Sequence, residues 1–358
     1  LFSEPTVFVV GAGASAEYKI AVGDSLKFKI ADLLDLHFDW SELTRGDYQI
    51  VEWLRRHNQA VSGSHKVSDQ DFKSARLISQ AMPHALSIDN FIDAHRGNES
   101  IALCAKLGIV KAILLEEVSS RISGLKDEFQ PFDFASVADT WIPRLFQMLS
   151  EGVSRDDIHR VFENLTLIVF NYDRCVEAYL PRALREYYDL QPAEVSQIMA
   201  RLKIIHPYGV AGRPDEIERL TIPFGSSDVN LLDASQGIRT FSEGVGDATI
   251  KSGLTDALSS ADTLVFLGFS FHPLNMKLLK APTNNLRRVF ATTYGLSKSA
   301  VANVEQSILQ MFDKLDPRQT LLDPDERQLD ELEMANLKAY DFCTQYFRSL
   351  SSAVPVIW

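Results

Sequence analysis

The stretch Thr6-Val7-Phe8-Val9-Val10-Gly11-Ala12-Gly13-Ala14-Ser15 joins an unbroken apolar run, rich in β-branched residues, to a glycine turn. An apolar run without alternation is the pattern of a strand buried on both faces, and glycine directly after it lets the backbone turn sharply. Runs of the same kind recur at 166–170, 202–205, 263–267 and 288–292, each near a segment with helical spacing. Together they predict an α/β fold: a Rossmann-like parallel sheet with helices on both faces.

From 24 to 162 the chain carries only helix-like patterns, such as 100–123 with Leu103, Leu107, Val110 and Leu114. A large helical insertion at about 40–160 is therefore expected within a single domain spanning 1–358. The segment 325–350, with Leu329, Leu332, Leu337 and Tyr340 at mixed three- and four-residue steps, reads as helix. It predicts a helical C-terminal tail, part of a C-terminal helical segment at about 297–350, with Pro355 closing the chain. Residues 211–214 and 244–246 read as surface loops, and 323–326 as a solvated helix start.

With 46% apolar residues in 358, the chain can bury a full core without staples. A net charge of -12 argues against a free-standing nucleic-acid binder, which must neutralise phosphates. The longest apolar runs, 165–170 and 263–271, fall short of the roughly 20 residues of a membrane span. Cys104, Cys175 and Cys343 form no CxxC pair, so reduced, packed thiols are expected rather than a zinc site or a disulfide framework. Residues 1–5 show no basic start followed by an apolar stretch, and a cytoplasmic address is expected.

After a strand, Gly11-x-Gly13 allows close approach to a ligand, and the amides of the following helix can hold a pyrophosphate. The alternative is a tight turn without ligand. A dehydrogenase would need a second strand ending in an acidic residue about 20 positions on. Here Asp32 and Asp35 fall in the helix-like stretch 26–36, entered through Asp24 or Ser25 as a candidate N-cap, which counts against that class.

Three further landmarks stand where strands are expected to end. In Phe170-Asn171-Tyr172-Asp173, Asn171 and Asp173 can grip ribose hydroxyls or a water, or Asp173 can simply cap a helix over 174–184. His206, in His206-Pro207-Tyr208-Gly209, is a candidate general base, or else a satisfied, partly buried histidine; of eight histidines it alone is expected at a strand's exit. Gly268-Phe269-Ser270 offers close backbone approach and a hydroxyl. In the insertion, Ser87-Ile88-Asp89-Asn90-Phe91-Ile92-Asp93 reads as a capped amphipathic helix, with Asp89 and Asn90 facing the cleft as the alternative.

The order of these motifs over residues 5–295 resembles the sirtuin-like superfamily, whose members carry a GAG-x-S loop, an Asn-x-Asp step, a His-Gly neighbourhood and a Gly-x-Ser loop. The resemblance implies NAD as substrate, with the pyrophosphate on Gly11, Ala12, Gly13 and Ser15. It implies Asn171 and Asp173 at the nicotinamide ribose, His206 as the catalytic base, and Gly268 and Ser270 at the adenosine ribose. Deacylase sirtuins also carry a four-cysteine zinc module and an Ile-Pro-x-Phe-Arg segment. This chain has neither: Ile20-Ala21-Val22-Gly23 stands where that segment would begin. It is more similar to the bacterial sirtuin-like NAD hydrolases of antiphage defence. That likeness implies an NAD glycohydrolase without a metal, releasing nicotinamide and ADP-ribose. It further implies a homo-oligomer or a partner such as a hexameric ATPase/helicase or an Argonaute-type sensor. A non-catalytic NAD- or ADP-ribose-binding subunit and an NAD-dependent deacylase are the alternatives.

Overall fold

The computed structural model describes residues 1–40, 42–126, 130–212, 222–283, 285–318 and 327–351. Its strands are β1 (Thr6–Val10), β2 (His37–Asp39), β3 (Glu42–Arg45), β4 (Leu165–Val169), β5 (Lys203–Ile205), β6 (Thr263–Leu267), β7 (Arg288–Thr292) and β8 (Glu331–Ala335). Six form one parallel sheet in the order β5-β4-β1-β6-β7-β8. The chain builds outward from β1 to β4 and β5, then crosses to β6 on the other side, so the strand order reverses between β1 and β6. A parallel α/β sheet opens its ligand crevice at that reversal, outside the carboxyl ends of the strands.

Alternation along each strand divides the core in two. Val7, Val9, Ile168, Leu264, Phe266, Val289 and Ala291 point to one face, and Phe8, Val10, Leu167, Val169, Val265, Leu267 and Phe290 to the other. The first face is covered by Asp24–Leu34 and by insertion helices, among them Tyr48–Ser62, Asp69–Ala81 and Glu99–Ser119, whose buried residues share one core with the strands. Trp141–Ser150, Cys175–Tyr188, Pro192–Met199 and Ala339–Gln345 cover the second. Among the described residues no helix is long and apolar enough to cross a membrane. Cys104, Cys175 and Cys343 are all buried and unpaired.

β1, β6 and β7 match their apolar runs to the residue, and β4 and β5 to within one. Three elements differ: residues 244–246, expected as a loop, end the helix Phe241–Gly246, whose capping box of Thr240 and Glu243 outweighs its two glycines. The segment expected to be helical from 325 contains β8, followed by helices at Ala339–Gln345 and Phe347–Leu350. In Glu331-Leu332-Glu333-Met334 polar and apolar residues alternate with a period of two, which suits an edge strand, and the three- and four-residue steps around it hide this. The insertion also holds an antiparallel hairpin, β2–β3, where only helix was expected. Neither Asp24 nor Ser25 is the N-cap of the helix Asp24–Leu34: Gly23 is, and Ser25 Oγ accepts the Val22 N–H at 2.9 Å. Residues 213–214 of the expected loop, 323–326 and Pro355 lie outside the described residues.

One carboxylate joins the two ends of the chain on the second face. Glu17 accepts the N–H of Trp141 at 2.9 Å and of Tyr340 at 2.8 Å, the first turns of two helices. Burial pushes its pKa up to about 7, against the pull of the two amides. Because the folded pKa lies above that of the unfolded chain, the stabilisation is full below about 4.5 and is lost as pH rises towards about 7. Compared with a Glu17→Gln variant, the wild type is expected to lose on the order of 3 kcal/mol across that window, read from urea melts at stepped pH. A difference that does not change with pH would contradict this.

Candidate functional site at the carboxyl edge of the sheet

β1 runs into a single helical turn, Ala12–Ser15, that packs against the loop leaving β6. The Gly11 N–H donates to Leu267 O at 2.9 Å and the Gly13 N–H to Gly268 O at 2.9 Å. A Cβ on Gly11 would lie 2.6 Å from Gly268 O, and one on Gly13 2.8 Å from the same atom. The two glycines are thus required by the neighbouring backbone, whose approach leaves no room for a side chain. Ala12 and Gly13 remain exposed at the mouth of the turn.

Gly268 has φ +59 and its Cβ would lie 2.2 Å from Ala14 N, so both conformation and space demand glycine. Its own N–H donates to Thr292 Oγ1 at 2.7 Å, which ties the turn to the end of β7. Alanine at Gly268 is expected to destabilise the protein by at least about 1–3 kcal/mol from backbone strain alone. Thermal denaturation checks this, and an unchanged melting temperature would contradict it.

Asn171, 5% exposed, follows β4 and reaches across to the glycine turn, donating from Nδ2 to Gly11 O at 3.1 Å and to Ser15 Oγ at 2.7 Å. Its Oδ1 is buried with no hydrogen-bond partner. Buried acceptors of this kind are uncommon in folded proteins, and this one is open to a water or a ligand donor. Asp173 stands just before Arg174, the N-cap of the helix Cys175–Tyr188, and its Oδ1 accepts the Cys175 N–H at 3.3 Å. The N-cap position considered for it thus belongs to Arg174, and Asp173 serves one amide of the first turn.

His206 follows β5, next to β4, with its side chain 11% exposed. Its Nε2 lies 2.6 Å from Glu177 Oε1 and its Nδ1 is buried without a partner. Burial alone would raise the Glu177 carboxyl, but its pairing with His206, with the charge of Arg174, outweighs burial and holds the group below its ordinary value. Pro207, Tyr208 and Gly209 complete a turn closed by the Gly209 N–H donating to His206 O at 3.0 Å.

Aromatic side chains wall this edge. Tyr208 packs against Phe170 and Tyr172, and Phe170 also meets Phe269 edge-on. Tyr208 Oη donates to Asn275 at 2.8 Å, and Tyr172 Oη donates to Asp89 of the insertion helix Ile88–Ala94. Ser87 does cap that helix, as read from sequence, while Asp89 reaches the residue beside Asn171. Burial pushes the Asp89 carboxyl up, against the Tyr172 hydrogen bond and the charge of His272. His272 caps the helix Pro273–Leu278 just past β6, so His206 is not alone among histidines at a strand's exit.

Of the residues singled out from sequence, Gly11, Gly13, Ser15, Asn171 and Gly268 are joined by contacts running from strand to strand. His206 and Asp173 are linked through the helix that carries Glu177, and Ser270 lies exposed beyond β6. Thr292 could have been noticed as a hydroxyl ending an expected strand. Glu177 could not, because its partner lies 29 residues away. Two surface concavities of about 340 and 320 Å³ lie elsewhere, one against the insertion helix Tyr48–Ser62 and the other beside Phe162 and Lys203 at the amino ends of β4 and β5. Neither includes a residue from a strand's carboxyl end. No protein-family model matches the chain, and no curated protein matches its sequence.

Proposed function

We propose that this edge binds NAD and hydrolyses its nicotinamide–ribose bond. The observation that carries the reading is the pair of unpartnered buried atoms, Asn171 Oδ1 and His206 Nδ1, at the ends of adjacent strands beside the glycine turn. A ribose diol and a water would give both atoms the donors they lack. The exposed mouth at Ala12 and Gly13 leaves room for a pyrophosphate, with Ser270 beyond it for the adenosine ribose.

The chemistry suits such a sparse site. The nicotinamide of NAD is a cationic leaving group, so breaking the C1′–N bond returns the electron pair to the ring nitrogen and neutralises it without protonation. The barrier then lies in the positive charge developing on the ribose and in placing a nucleophile. Asn171 Oδ1 orients the ribose or the water; the water oxygen bonds to C1′ and its proton passes to His206 Nδ1. Asp173, with one oxygen on the Cys175 N–H, holds the ribose with the other. NAD and water thereby yield nicotinamide, ADP-ribose and a proton. The motif order alone supports the wider setting, NAD depletion in antiphage defence.

The test is incubation of purified protein with NAD, following nicotinamide and ADP-ribose by chromatography and NAD binding by calorimetry. Equal release of both products is expected. Binding without release would replace the hydrolase with an NAD-sensing subunit, and absence of both would overturn the reading.

A further inference from the structure

Glu177 stands in the first turn of the helix Cys175–Tyr188, where the helix dipole favours a carboxylate. Arg174, one turn earlier, adds its positive charge. Arg174 is itself immobilised, donating from Nε to Glu117 at 2.9 Å inside the protein. Glu177 is therefore an ionised, well-fixed acceptor, and an ionised carboxylate can only accept. At 2.6 Å from it, His206 Nε2 must carry the hydrogen. In a neutral imidazole the other nitrogen then has the lone pair, and that nitrogen, Nδ1, is the one buried without a partner.

We infer that Glu177 is the positioning residue for His206: it holds the imidazole in the Nε2–H tautomer and leaves Nδ1 as the proton-accepting nitrogen. The consequence for turnover rests on the hydrolase reading, whereas the tautomer does not. A merely structural ion pair would favour a doubly protonated ring, whose Nδ1–H would be a buried donor with nothing to receive it. The pairing follows the general logic in which a buried carboxylate selects the tautomer of a catalytic histidine.

Nitrogen-15 NMR of histidine-labelled full-length protein, with the His206 signals identified by their loss in His206→Asn, reads the tautomer without any substrate. At a pH where the ring is neutral, wild-type protein is expected to show protonated Nε2 and bare Nδ1. Glu177→Gln is expected to shift His206 away from that form, and Glu177→Asp, which keeps the carboxylate, to retain it. On NAD, Glu177→Gln is expected to lower kcat by roughly 10²–10⁴-fold, with KM changed by less than about threefold.

A wild-type His206 protonated on Nδ1, or a tautomer indifferent to Glu177→Gln, overturns the inference whatever the protein does to NAD. That first outcome does not depend on Glu177→Gln folding. The expected tautomer and its loss in Glu177→Gln, in a wild-type protein that releases no nicotinamide, supports the pairing and overturns the hydrolase instead.

Discussion

Alanine at His206 is expected to lower NAD turnover by about 10²–10⁴-fold while NAD affinity changes by less than about threefold. The imidazole is tied on one side only, to Glu177 at 2.6 Å, so removing it frees a carboxylate at the edge of the site without opening the strand contacts beneath. In the proposed hydrolysis it accepts one proton as water adds, a role that belongs to the transition state rather than to ground-state binding. Asn171→Ala is expected to lose turnover similarly, with an added structural effect, since Nδ2 anchors Gly11 O and Ser15 Oγ. Both variants should melt earlier than wild type, Asn171→Ala through its lost anchors and His206→Ala through the buried Glu177 carboxylate left without its partner. Normal turnover in both variants would place the chemistry elsewhere, and loss of NAD binding in His206→Ala would assign the histidine to binding.

Alanine at Arg174 is expected to destabilise the fold by about 3–5 kcal/mol near neutral pH. Arg174 and Glu117 are both fully buried, joined by two parallel hydrogen bonds from Nε and Nη2, and Arg174 Nη1 also donates to Ile222 O. Glu117 receives in addition the Gly225 N–H at 3.2 Å. One pair thus ties the insertion helix Glu99–Ser119, the loop after β4 and the segment at 222–225 together, directly behind Asn171 and Asp173. Burial already holds the Glu117 carboxyl above its ordinary range against the pull of Arg174. Without the arginine it rises further, so the variant's deficit should shrink as pH falls and Glu117 takes up a proton. Urea melts at two pH values read both effects. A variant as stable as wild type, or a deficit that grows on acidification, would contradict this account.

The sheet was legible because strands buried on both faces leave unbroken apolar runs. 6–10, 263–267 and 288–292 read directly as strands for that reason. β8 escaped because an edge strand is half-solvated: its two glutamates interrupt the apolar run and let a helical spacing be drawn through Leu329 and Leu332. The hairpin β2–β3 is too short, at three and four residues, to leave a period. At the site, Asn171, His206 and the glycines were legible from their positions after strands. Their interactions were not. Glu117 lies 57 residues from Arg174, and the packing of Gly11 and Gly13 against Gly268 depends on β1 and β6 being neighbours. The same geometry revises what the glycines do: the Gly13 N–H is already donated to Gly268 O, so Gly13 shapes the turn rather than offering that amide to a phosphate.

The most direct test is the structure of the His206→Ala protein with NAD bound. The account predicts the nicotinamide ribose within hydrogen-bonding distance of Asn171 Oδ1, the vacated imidazole position beside C1′, and the pyrophosphate at the mouth formed by Ala12 and Gly13. NAD seated in either of the two outlying concavities, or a nicotinamide ribose pointing away from Asn171, would contradict it.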